Sequence, residues 1–160
     1  MMMENNKNTQ NKFEPIEAKF TERRDYWMKW IEDMNESLKS IDTVINLQGV
    51  VYTKRQEAVE NYHSLAATVA KYAKKYKENS ARLYKEIRLM KTAQGATTFM
   101  LSTESAIREQ IELPLSDDKY LIDIMESHLG YLDNTIKTID GIIFAINNRI
   151  RIEEIKIGKD

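Results

Sequence analysis

Residues 59–91 read VENYHSLAATVAKYAKKYKENSARLYKEIRLMK. The residues Val59, Tyr62, Ala66, Val69, Ala73, Tyr76, Ser80, Leu83, Ile87 and Met90 alternate by three and four positions. That spacing keeps one apolar seam on one side of a helix. One row of the seam is large (Tyr62, Val69, Tyr76, Leu83, Met90) and its partner row is small (Ala66, Ala73, Ser80). A small row lets a second helix approach closely.

The same period runs outward in both directions. Upstream, Trp27, Ile31, Met34, Leu38, Ile41 and Ile45 repeat by four and three. Gly49 interrupts this seam and allows a turn between two helices, although a single glycine costs only about 1 kcal/mol within a helix and does not force one. Downstream, Met125, Leu129, Leu132, Ile136, Ile139, Ile143, Ile146 and Ile150 form a third seam. Isoleucine in both core rows favours assemblies above the dimer in parallel coiled coils. Leu129, Leu132, Ile136, Ile139, Ile143, Ile146 and Ile150 are therefore read as an oligomerisation surface.

Between these seams, residues 92–100 (TAQGATTFM) break the period and read as a loop. Ser102 or Thr103 caps a short helix, which Leu113-Pro114 ends, because the residue before proline avoids helical geometry. Ser116 then caps the last helix, with Asp117 and Asp118 at its positive end. Residues 1–13 are rich in Asn, Lys and Gln and read as a disordered tail. The expectation is one all-α domain over 14–160, a long-helix bundle built of coiled-coil hairpins, and oligomeric. Its helices fall at about 16–48, 51–91, 102–112 and 117–156.

Composition agrees with long helices. The 160 residues include two prolines, five glycines and no cysteine, and 31% are charged. Without cysteine there are no disulfides and no thiolate metal sites. The longest charge-free apolar run, 141–146, is far short of a membrane span. The start is polar, without the apolar stretch of a signal peptide. These features point to a soluble, cytoplasmic protein.

Charge is unevenly distributed. The chain nets −1, yet residues 69–91 carry eight basic residues against Glu78 and Glu86. Residues 102–133 carry eight acidic residues against Arg108 and Lys119. Lys71, Lys74, Lys75, Arg82, Lys85 and Arg88 lie off the seam, and Lys77 and Lys91 flank it. A concentrated positive field attracts phosphate. Tyr72, Tyr76 and Tyr84 interleave with the cations, and unpaired bases stack on such rings. Tyr76 is a seam residue, so Tyr84 and Tyr72 are better placed for stacking. The candidate nucleic-acid-binding set is Lys71, Lys74, Lys75, Lys77, Arg82, Tyr84, Lys85 and Arg88. The competing reading is an outer helix face paired with the acidic segment.

Enzymatic chemistry has no foothold in the sequence. His63 and His128 are isolated and read as surface or interface histidines, without partners at metal-ligand spacing. GATT at 95–98 lacks the second glycine and the Lys-Ser/Thr pair of a phosphate loop. Asn147, Asn148 and Arg149 interrupt an apolar helix, as the polar flank of its seam or as a phosphate or partner contact. No catalytic residue, metal or cofactor is expected.

Several short motifs resemble one family. Ala81-Arg82-Leu83, Leu115-Ser116-Asp117-Asp118-Lys119, Leu129-Gly130-Tyr131 and GIIFAINNR at 141–149 are similar, in order and spacing, to segments of the UvsY recombination mediator family of T-even-like phages. Val51-Tyr52-Thr53-Lys54 is a further echo. The stretch 14–50 is longer than the family's N-terminal region, and Tyr84-Lys85-Glu86 replaces its Tyr-Tyr and glycine. The resemblance implies a helical, ring-forming homo-oligomer, without catalytic activity, that binds single-stranded DNA. It also implies partners: a RecA-like recombinase and a single-strand-binding protein, in recombination or repair. By motif, Arg82 becomes a phosphate contact. The alternative is a structural coiled-coil oligomer, a phage or bacterial assembly scaffold or chaperone, that binds protein partners only.

Overall fold

The computed structural model describes residues 3–93 and 104–158. They form helices α1 (Met3–Ser37), α2 (Ile41–Ala93) and α3 (Glu104–Ile157), with no strand among the described residues. The protein is all-α. By packing, the chain divides into two compact units: Met1–Leu65 with Ser127–Asp160, and Ala66–Glu126.

The first unit is a three-helix core. Trp27 of α1, Val44, Val51 and Ala58 of α2, and Leu132, Ile139, Ile142 and Ile146 of α3 are buried together. Val44, Val51 and Ala58 repeat every seven residues, as do Leu132, Ile139 and Ile146, so successive layers stack along the bundle. Trp30, Ile31, Met34 and Leu38 cover it from the α1 side. The second unit joins two helical arms, 66–93 of α2 and 104–126 of α3. Its core is Ile107, Ile111 and Leu115, against which Tyr76, Leu83, Tyr84 and Ile87 pack.

Several helix boundaries differ from the sequence reading. The turn between the first two helices falls at residues 38–40, and Gly49 lies inside α2. Ser40 followed by Asp42 is a helix-start signal, and an exposed glycine in a helix costs only about 1 kcal/mol. The Thr43 hydroxyl lies 2.6 Å from the Ser37 oxygen and 2.8 Å from the Ser40 oxygen, tying the end of α1 to the first turn of α2. α1 reaches back to Met3, through Pro15 and most of the expected tail, and Phe13 is buried.

The expected stop at Leu113-Pro114 is absent, and α3 runs through Pro114. Ile107, Ile111 and Leu115 bury one continuous face on both sides of the proline. Gln110, Leu113 and Pro114 are exposed, so the proline lies on the solvent side of α3, away from the buried face. Ser116 is not a cap; its hydroxyl donates to the Leu113 oxygen at 2.9 Å. The expected loop lies mostly outside the described residues, as do the caps Ser102 and Thr103.

The C-terminal seam is also corrected. Leu132, Ile139 and Ile146, expected to drive assembly, fill the chain's own core. Their buried partner row is His128, Thr135 and Ile142, one position before the row read from the sequence. Ile136, Ile143 and Ile150 are half-buried flanks of that core, and Leu129 is half-buried. A helix packed against two neighbours buries a wider stripe than a two-helix seam. The isoleucines therefore satisfy an intramolecular demand first.

Candidate nucleic-acid interface

The basic segment lies on the α2 arm of the second unit. Tyr76, Leu83 and Ile87 set its inward side. At about 100° per residue, Lys71, Lys74, Lys75, Arg82 and Lys85 fall within roughly 100° of arc on the opposite side. All five are exposed. The core residues thus orient the cations: each apolar anchor facing inward turns a lysine or arginine outward.

Little neutralises this ridge. Lys74 and Glu78 stand 3.9 Å apart, Arg82 and Glu86 3.8 Å, both along the helix itself. The Lys74 and Arg82 side chains keep 79% and 68% of their accessible surface. Exposed, loosely aligned pairs of this kind contribute little and yield to a competing anion. Among the described residues, Lys71, Lys75, Lys77 and Lys85 form no ion pair.

Lys77 and Arg88 turn away from the ridge, toward Tyr84. The Arg88 guanidinium sits 5.1 Å from the Tyr84 ring centroid, a cation–π contact. Tyr84 and Tyr76 are half-buried, whereas Tyr72 is exposed. The candidate set therefore divides into a ridge and a flank. The Lys91 side chain lies outside the described residues.

Beside the flank, a groove of about 510 Å³ opens between the two arms of this unit. Tyr76 and Tyr84 wall it, and the small residues Ser80 and Ala81 leave it open. Lys77 and Lys85 come from α2, and Arg108, Ile111 and Glu112 from α3. Arg108 escaped the sequence reading because it sits alone among acids; only the pairing of the arms brings it to the tyrosines.

Other expected residues have structural duties. His128 is wholly buried, not a surface histidine. It stacks on Phe20 at 4.3 Å and lies 6.0 Å from the Tyr131 ring, with no partner for either ring nitrogen. Burial, then the charges of Arg24 and Arg23, push its pKa down to about 4. It borders a polar cavity of about 230 Å³ with Arg23, Glu57 and Asn61. His63 is exposed. Arg149 bonds the end of α1, and the Asn147 oxygen accepts from the Gln48 amide at 3.1 Å. These side chains join helices of the first unit.

Two further ion pairs bind the same unit. Lys54 donates to Glu57 at 2.6 Å and to the Tyr26 hydroxyl, and these partners hold its pKa above the usual lysine value, Glu57 foremost. Arg55 forks onto Asp140 at 2.5 and 3.3 Å. Among the described residues, no group of three or more His, Cys, Asp or Glu could hold a metal ion. No described helix is long and apolar enough to cross a membrane.

No protein-family model matches the chain, and no curated protein or solved structure matches it significantly.

Proposed function

We propose that the protein is a non-catalytic, single-stranded DNA-binding protein whose docking face is the exposed ridge of α2 in the second unit. The observation that carries this reading is the alignment of Lys71, Lys74, Lys75, Arg82 and Lys85 on one solvent-facing side, with only two loose pairs along it. A row of cations on a rod follows a sugar-phosphate chain without reading bases. Nearby tyrosines favour an unpaired strand over a duplex, whose bases are already stacked.

The finer role, helping to load a RecA-like recombinase onto strands coated by a single-strand-binding protein, rests on the short motifs shared with the UvsY family. A homo-oligomer, a ring for instance, would repeat the ridge and multiply weak contacts. Titration of labelled unpaired DNA at two salt concentrations tests the binding reading. It expects little sequence preference and a steep loss of affinity with salt. Absence of binding at low salt overturns it. Recombinase loading is tested separately by strand exchange with coated DNA.

One observation favours the alternative, a structural element that grips protein partners. Near the end of α3, Phe144 is 68% exposed and Ile157 75%, with Ile152 and Ile155 also open. Exposed apolar residues gathered on one segment mark protein contacts. That reading expects association without affinity for DNA, and the same titration separates the two.

A further inference from the structure

We infer that the groove between the two arms of the second unit seats one nucleotide of the bound strand, its base against Tyr76 and Tyr84 and its phosphate against Lys77, Lys85 and Arg108. The inference rests on the single-stranded DNA reading above and adds a base-dependent subsite to it.

Three observations converge. The groove, about 510 Å³, has the size of a small-molecule site and is far roomier than a phosphate needs. Its composition is divided: aromatic and aliphatic surface from Tyr76, Tyr84 and Ile111, and three cations against the single carboxylate of Glu112. A nucleotide carries the same division, a flat apolar base joined to an anion. Finally, Lys85 belongs both to the groove and to the ridge, so a strand lying along the ridge passes the groove's mouth. The two tyrosines are held by packing against Ile107, Ile111 and Leu115, so little side-chain freedom is lost when a base docks.

Arg108 acquires a role on this reading. It lies on the acid-rich arm, where a phosphate has no other reason to approach. It lines the groove from α3, across from the α2 residues Lys77 and Lys85, and adds a third cation to the lining.

The test compares labelled oligo(dT) with an abasic oligomer of equal length, by fluorescence anisotropy at one moderate salt. The intact protein is expected to bind oligo(dT) about tenfold more tightly, the usual effect of one stacked base. Ala81→Phe, which fills the groove and leaves every cation in place, should bring the ratio of oligo(dT) to abasic affinity from about tenfold down to near one. Arg108→Ala should weaken oligo(dT) more than the abasic oligomer. Arg108 is exposed, so this variant carries the test if Ala81→Phe loses helix content. Equal binding of the two oligomers, with neither variant altering it, overturns the subsite and leaves the ridge standing. Failure of the intact protein to bind either oligomer overturns both.

Discussion

Arg149 of α3 donates through its guanidinium to the main-chain oxygen of Leu38, one residue beyond α1, and reaches the Lys39 oxygen at 3.2 Å. The last carbonyls of a helix have no partner within it and carry its negative end. Arg149 supplies both a donor and a positive charge there, from a helix distant in sequence. The arginine that breaks the apolar run of α3 therefore fastens the turn between α1 and α2.

Replacing Arg149 with Met keeps much of the aliphatic stem and removes these donors. The expected loss is about 1.5–3 kcal/mol, the range of a hydrogen bond from a charged group. Urea unfolding at neutral pH reads it as a lower midpoint with an unchanged slope.

His128 makes stability depend on pH. Its pKa is about 4 in the folded protein and 6.5 when free, so between these values the unfolded chain binds a proton that the native one refuses. Stability is therefore full above about pH 6.5 and falls as the pH drops toward 4. The whole effect is at most about 3 kcal/mol. His128→Leu should flatten this part of the profile, read as the difference between variant and parent midpoints at pH 5 and pH 7. Parallel profiles would contradict the assignment.

Ile139→Ala tests whether the isoleucine row serves the chain's own core. Ile139 has no accessible surface, so truncation should cost about 2–5 kcal/mol. The loss should be the same at low and high protein concentration. Phe144→Ser, at an exposed position, should leave unfolding unchanged and alter only the mass measured by light scattering. A concentration-dependent loss for Ile139→Ala would return the row to assembly.

The ridge is tested by reversing Lys74, Lys75, Arg82 and Lys85 together to Glu. All four are exposed, so the fold should survive, as judged by circular dichroism. Binding to unpaired DNA should vanish at moderate salt. Neutralising the same four to Gln should flatten the plot of log affinity against log salt by about 0.7 for each phosphate the protein no longer neutralises. Unchanged binding by the reversed variant removes the ridge from the interface.

Much of the architecture is legible in the sequence because helical periodicity is local. The seam through Tyr76, Leu83 and Ile87 can be read from spacing alone, and the outward side of Lys74, Lys75 and Arg82 follows from it. Pro114 misleads because a local rule disfavours helical conformation for the residue before proline, while burial of Ile111 and Leu115 on either side outweighs that cost. Gly49 misleads for the opposite reason: its penalty is small, and the stronger signal is Ser40 with Asp42. The row containing Ile136 and Ile143 reads as a core row because two rows suffice to describe one seam. A third helix turns the face by one position and buries His128, Thr135 and Ile142 instead.

What the chain order determined by itself was therefore the helical class, the cation-bearing side of α2 and the apolar rows available for burial. These depend on residues three and four apart, which a helix places together wherever it lies. What only the tertiary structure decided was which rows meet one another, whether a buried histidine stands in a core, and that Arg108 joins Tyr76 and Tyr84 around one groove. Those depend on pairing between distant segments, and burial of apolar surface, which drives that pairing, has no direction of its own.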